Sequence, residues 1–234
     1  MVDTDRIYSE QADEYERLIL REDYQKNIFA ALNEIRPLEG LDVVELGAGT
    51  GRLTCMLAPL VKTIRAYDVS GHMLDVAAAK LRKSGWENWA IGIADHRALP
   101  ADDQIADLAI SGWSIVYTVV GDEGTWRHEL GKALTEMKRV LRPGGTVIIL
   151  ETLGTGYETP TPPDELVAYY RFLEDEGGFS STWIRTDYLF ESLKEARELS
   201  TFFFGEEIVE KVIMDASEGH VILPECTGIW WMNV

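Results

Sequence analysis

Apolar and polar positions alternate along this chain with two different periods. Residues 21–36 (REDYQKNIFAALNEIR) place Tyr24, Ile28, Leu32 and Ile35 at helical spacing, and Pro37 closes the segment, so a helix with one apolar face is predicted. LDVVELG (41–47) is the continuous apolar run of a buried strand; a glycine turn and a helix through GRLTCMLAPLV follow it. Strands at 62–68, 88–95, 104–111 and 145–152 then alternate with helices at about 71–83 and 124–140. Such alternation predicts a doubly wound α/β fold: parallel strands joined by right-handed crossover helices on both faces of one sheet.

The rhythm breaks after 152. GTGYETPTPPDE reads as a loop, with Pro162 and Pro163 just ahead of a helix at 164–176. EGGFSSTW reads as another loop; a helix at 186–198, a short helix in FGEEIVEKVIMD and a final strand at 220–232 follow. The whole reads as one domain: a helical N-terminal lid segment (1–40), a core (41–152), a cap that selects the substrate (153–200) and a C-terminal part completing the sheet (201–234). Neither an internal repeat nor a low-complexity tract interrupts it.

Composition narrows the partners. At 234 residues, 46% hydrophobic and 26% charged, the chain can bury a sizeable core, and two full domains would be cramped. A net charge of −18 opposes binding to a phosphate backbone or an anionic membrane, so neither a nucleic acid nor a membrane is expected as partner. Cys55 and Cys226 lack the spacing of a disulfide framework or zinc knuckle, and the histidines lack ligand spacing, so no metal is expected. MVDTDRIYSE lacks the basic and apolar regions of a signal peptide, and no apolar run reaches the roughly 20 residues of a membrane span. The expected location is the cytoplasm.

The chemistry concentrates in VVELGAGTGRLT (43–54), with Gly47, Gly49 and Gly51 at alternate positions. In a doubly wound sheet, ligands sit beyond the carboxyl ends of the strands, and glycines there leave no Cβ between backbone and ligand. The helix starting near Gly51 also offers unpaired N–H groups to an anion. Arg52 stands where the dinucleotide fingerprint G-x-G-x-x-G has its third glycine, which argues against a nicotinamide dinucleotide. Glu45, a carboxylate in an apolar strand, needs hydrogen bonds; it is expected to order the turn or to receive the cationic end of a ligand.

Read as E-x-G-x-G-x-G, residues 45–51 resemble the first motif of the class I S-adenosylmethionine-dependent methyltransferases. Further landmarks follow in order. Asp68 ends the second strand in AYDVSGHML, as the family's acidic ribose ligand does, and a carboxylate can accept from both vicinal hydroxyls. Asp95 in GIADHRALP is similar to the acid that accepts from the adenine amino group; ADLAISGW and LTEMKRVLRPGGTVIILE resemble the fourth and fifth strand regions. The resemblance covers about 41–152 and implies a mostly parallel seven-stranded sheet with the last strand antiparallel, helices on both faces and a small helical cap insertion.

It further implies a cofactor site for S-adenosyl-L-methionine built from Glu45, Gly47, Ala48, Gly49, Gly51, Asp68, Val69, Met73, Asp95 and His96. Ser111 and Trp113 face the same crevice; Trp113 covers the adenine, lines the substrate pocket or is simply core. IYSEQADEYERLI is similar to the Tyr-containing segment that closes over the cofactor, so Tyr8 is a further candidate, with Tyr15 behind it; packing explains this pair equally well.

The implied reaction is direct displacement, a substrate O, N, S or C nucleophile attacking the sulfonium methyl. The protein supplies alignment, exclusion of water and, where the nucleophile carries a proton, a base. Glu151, His96 and Tyr117 are the candidates for that base, and none matches a family-wide catalytic motif. A small-molecule acceptor is expected under the cap, whose aromatics include Tyr157, Tyr169, Tyr170, Trp183, Phe203 and Trp230; these form a pocket or the cap's own core. An NAD(P)-dependent oxidoreductase and a non-catalytic S-adenosylmethionine-binding protein stay open as alternatives. The acceptor, the atom methylated and the choice between monomer and homodimer are not encoded in any motif.

Overall fold

The computed structural model describes residues 4–120, 124–215 and 219–234. Two short helices, α1 (Thr4–Glu10) and α2 (Ala12–Ile19), precede α3 (Asn27–Ile35). The core then runs β1 (Asp42–Leu46), α4 (Arg52–Leu57), β2 (Thr63–Asp68), α5 (Gly71–Ser84), β3 (Trp89–Ile93), β4 (Ala106–Gly112), α6 (Trp126–Arg139) and β5 (Leu141–Thr155). Beyond it come α7 (Val167–Arg171), β6 (Ser180–Arg185), β7 (Tyr188–Phe190), α8 (Leu193–Phe204), β8 (Ile213–Asp215), β9 (His220–Leu223) and β10 (Glu225–Asn233).

The main sheet has seven strands in the order β3-β2-β1-β4-β5-β10-β6. The first five are parallel, and β10 runs antiparallel to both of its neighbours. This is the expected doubly wound architecture with its antiparallel final strand. All five residues of β1 are buried, and Val43 and Val44 point to opposite layers. On one face Val44, Leu46, Val147 and Ile149 meet Leu130 and Met137 of α6; on the other Val43, Ile148 and Leu150 meet Leu53, Leu57, Leu81 and Leu32. Burial on both faces explains why these strands read as unbroken apolar runs.

The periphery departs from the sequence reading. The helix predicted over 21–36 begins only at Asn27, because the Asp23 carboxylate caps it by accepting from the Asn27 and Ile28 amides at 2.8 and 3.2 Å. EGGFSSTW, read as a loop, holds the start of β6, an exposed edge strand of the main sheet. The helix predicted at 186–198 is β7 followed by α8, whose N-cap Ser192 accepts from the Glu195 amide. The short helix in 204–215 is a 3-10 turn at 206–211 followed by β8.

The final strand splits at Pro224, which cannot donate to a ladder, and its halves enter different sheets. β7, β9 and β8 form a small second sheet, on which Leu18 of α2 and Leu199 of α8 pack around Tyr188, Phe190 and Leu223. The predicted helix at 164–176 is continuous in three pieces, a 3-10 turn, α7 and a π turn. Among the described residues, no helix is long and apolar enough to cross a membrane.

Candidate cofactor site at the ends of the parallel strands

After β1, Gly47, Gly49 and Gly51 all take positive φ (70°, 52° and 79°), where a Cβ is costly. A Cβ on Gly47 would lie 1.8 Å from Ser114 Oγ and 3.0 Å from His96 Nε2, so the loops after β3 and β4 pack directly against the turn at this glycine. One on Gly51 would meet Ala77 Cβ at 2.8 Å, which shows that this glycine serves the packing of α4 against α5.

Glu45 is buried beneath the turn and accepts from the Thr54 hydroxyl of α4 at 2.6 Å. Burial, with the Asp68 charge adding to it, pushes its carboxyl up to about 8. Asp68 ends β2 and ties two segments together: one oxygen accepts from the Gly49 amide and the other from the Ser70 amide, each at 2.8 Å. Ser70 in turn caps α5 by accepting from the Met73 amide. A carboxylate has about four lone-pair positions, so Asp68 keeps acceptor capacity toward the crevice.

Two large apolar side chains stand exposed beside it. Val69 is 64% and Ile93 68% accessible, at the carboxyl ends of neighbouring strands, and Met73 Cε lies against Gly49. Uncovered apolar surface next to a strand-end carboxylate fits an adenosine, whose flat base and vicinal hydroxyls need both. Ile93 was invisible in the sequence, because an isoleucine closing a strand reads as core.

Asp95 is half-exposed, and Arg97 grips both its oxygens at 2.5–2.7 Å, which lowers its carboxyl to about 2. Any adenine contact of Asp95 therefore shares the carboxylate with that guanidinium. His96 is half-buried, its ring nitrogen 3.1 Å from Ser114 Oγ above Gly47, and desolvation lowers its pKa. Ser111 is fully buried within β4 with an unpartnered hydroxyl.

Trp113 holds φ 50°, rare for a bulky residue, and its ring carries the Arg52 guanidinium at 4.4 Å from the centroid. Arg52 also pairs with Glu22 at 2.6 Å. The side chain that replaces the third glycine of a dinucleotide fingerprint thus belongs to a second cluster, toward β10, and the spacing of residues 22, 52 and 113 gave no hint of it.

Tyr8 folds over the same strand ends. Its hydroxyl lies 2.6 Å from that of Tyr117, its carbonyl accepts from Ser70 Oγ at 2.9 Å, and its ring meets Tyr15 edge-on. Burial raises both phenols, Tyr8 and Tyr15. Of the base candidates, Glu151 is buried and accepts from the Val116 amide at 3.0 Å and Tyr169 at 3.4 Å, so it pins the turn after β4. Tyr169, Tyr170 and Trp230 join the main core, with Tyr170 stacked on Trp230; Phe203 alone of the six cap aromatics joins the Tyr8 and Tyr15 rings. No group of three or more metal-ligating side chains occurs among the described residues.

A doubly wound sheet with a glycine turn, a strand-end acid and exposed apolar flanks defines a nucleotide-cofactor domain. Residues 44–149 match the family described as Methyltransferase domain. The chain is 32% identical over 117 residues to the malonyl-[acyl-carrier protein] O-methyltransferase of Yersinia pestis, covering 50% of this chain and 38% of that one. It is 31% identical over 134 residues to the demethylmenaquinone methyltransferase of Clavibacter sepedonicus, covering 57% and 48%. It thus spans less than half the length of these relatives.

Among solved structures, Haemonchus contortus phosphoethanolamine N-methyltransferase 2, complexed with phosphomonomethylethanolamine and S-adenosylhomocysteine, superposes with a TM-score of 0.63 at 16% identity, over 100% of this chain and 61% of that one. The family match covers 44–149, just under half of the chain, and the structural likeness extends the shared fold over its whole length.

Proposed function

We propose that the chain transfers a methyl group from S-adenosylmethionine to a small-molecule acceptor by direct displacement. The observation that carries this reading is the positive-φ glycine turn held by Asp68 beside the uncovered Val69 and Ile93. When bound, S-adenosylmethionine supplies an electrophilic methyl on a sulfonium. Asp68 holds the ribose, Val69, Ile93 and Met73 cover the adenine, and the backbone from Gly47 to Gly51 approaches the methionine portion. Glu45 orders that turn through Thr54. Tyr8 and Tyr117, joined by their hydroxyls, shut water out above Ser70.

No chain carboxylate need take a proton from the acceptor. Glu151 accepts from the Val116 amide and serves positioning, while His96, half-buried with a pKa lowered by desolvation, is the better placed acceptor beside Gly47. The acidic surface argues for an acceptor other than nucleic acid, and the free Cys55 and Cys226 accord with a reducing compartment.

Thermal unfolding with S-adenosylhomocysteine tests the reading. A ligand at about 100 times its Kd adds about 2.7 kcal/mol, which raises the Tm of a chain this size by about 5 to 10 °C. A shift with NADH and none with S-adenosylhomocysteine would overturn it in favour of an oxidoreductase.

A further inference from the structure

Between α2 and α5 lies a groove of about 580 Å³, and none of the residues lining it belongs to the proposed cofactor site. A volume of this order holds a small organic molecule. Glu16 of α2 and Lys80 of α5 both line it and join the two helices through a 2.6 Å ion pair. Glu16 is only 9% exposed; its Oε1 accepts from Lys80 Nζ, while its Oε2 has no partner among the described residues. A carboxylate that has given up its hydration for a single hydrogen bond is short of donors.

Charge sharpens the point. Asp13 of α2 and Asp75 of α5 stand exposed on the same groove, and no described cation pairs with either. Three carboxylates thus line it against the one ammonium of Lys80, and Arg17, the next cation along α2, is taken by Glu14 and Glu198. The rest of the lining is largely aliphatic: Val76 and Ala79 of α5, and Leu20 at the end of α2, 70% uncovered. Negative charge and an aliphatic wall in one groove select a molecule with a cationic head and an apolar body. An anion is repelled there, and an uncharged chain leaves the surplus carboxylates unmatched.

The place of the groove gives its occupancy a consequence. α2 follows directly on α1, whose Tyr8 carbonyl accepts from Ser70 Oγ at 2.9 Å, and Ser70 starts α5 and donates its amide to Asp68. A ligand held by both walls resists separation of these N-terminal helices from α5, and with it the withdrawal of Tyr8 from the strand ends. We propose that the groove is an effector site for an aliphatic primary ammonium, which tightens cofactor binding by fastening α2 to α5. The ammonium donates to Glu16 and balances Asp13 and Asp75, and the chain lies on Leu20, Val76 and Ala79. The coupling rests on the methyltransferase reading, which supplies the cofactor, and linkage makes it reciprocal: S-adenosylhomocysteine tightens the ammonium by the same factor.

The test uses the full chain and three six-carbon probes alike but for the head group, hexylamine, hexanol and hexanoate, at constant ionic strength. Isothermal titration is expected to show hexylamine binding at least about tenfold tighter than the alcohol or the acid. Saturating hexylamine is expected to tighten S-adenosylhomocysteine about fivefold. Asp13→Asn combined with Asp75→Asn alters two exposed side chains outside the proposed cofactor site, so the chain folds. This double variant is expected to weaken hexylamine at least about fivefold and to lose the coupling, while S-adenosylhomocysteine alone binds as in the parent chain. Equal or tighter binding of hexanol or hexanoate, no binding of hexylamine, an unchanged hexylamine affinity in the double variant, or an S-adenosylhomocysteine affinity that hexylamine leaves alone or weakens each overturns the proposal while leaving the methyltransferase reading intact. Failure of S-adenosylhomocysteine to bind the parent chain strikes at that reading instead, and hexylamine binding that the double variant loses still reads the groove by itself.

Discussion

At Asp68 one oxygen accepts from the Gly49 amide and the other from the Ser70 amide, so the carboxylate shapes the glycine turn and the start of α5 before any ligand arrives. Replacing it by Ala removes both bonds together with the proposed ribose contact. Asp68→Ala is therefore expected to weaken S-adenosylhomocysteine by about 1 to 3 kcal/mol, read by isothermal titration. It should also lower Tm, because two amides lose their acceptor. A lowered Tm with unchanged affinity would assign Asp68 to the scaffold alone. The place of this acid at the end of β2 was legible in the sequence, because a strand's end follows from its apolar pattern. It concealed the partners of Asp95 and Trp113, since Arg97 and Arg52 are long side chains whose direction depends on packing that no local pattern specifies.

On the scale of elements, what was legible followed burial. β1 and the inner part of β5 lie between two helical layers, so their apolar runs are unbroken and their positions could be read directly. β6 is an edge strand with mostly exposed residues in SSTWIR, and its place is set by pairing with β10, far along the chain, so no periodicity betrays it. The three-residue strands β7 and β8 are shorter than any usable period, and the helical pattern of LKEARELSTFFF spread backward over β7.

Helices α1 and α2 are likewise held by contacts at long range: the Tyr8 hydroxyl to Tyr117, the Tyr8 carbonyl to Ser70 and the Lys80–Glu16 pair at 2.6 Å. Tyr8→Phe removes one of these while keeping the ring against Tyr15 and Phe203. The expected cost is about 0.5 to 1.5 kcal/mol, expressed as faster S-adenosylhomocysteine release in stopped-flow measurements with little change in Tm. Release at the parent rate would show that the hydroxyl pair does not hold α1 closed over the proposed cofactor site.

For the molecule as a whole, the buried glutamates set a pH dependence opposite to that of ordinary acid-labile proteins. Glu45, Glu151 and Glu225 each lie at about 8 in the folded chain, in every case through burial first. Unfolded, the same groups titrate near the model-peptide value of about 4.3. Between these values the folded state binds more protons than the unfolded one, so the stability they contribute is fully present below the lower pKa and is lost as pH rises through about 8.

Each unit of such a shift corresponds to about 1.4 kcal/mol, and structural relaxation trims it. The net charge of −18 acts in the same direction, because every proton lost adds to self-repulsion that salt screens. Tm measured at constant ionic strength is therefore expected to fall between about pH 5.5 and about pH 8.5, and Glu151→Gln should flatten part of that slope. The Asp95–Arg97 pair works at the other end: its depressed carboxyl contributes stability above about pH 4 that is lost as pH falls toward 2, and exposure keeps that contribution small. A Tm that rises steadily from pH 5.5 to 8.5 would mean that the three glutamates are solvated or ion-paired in the folded chain.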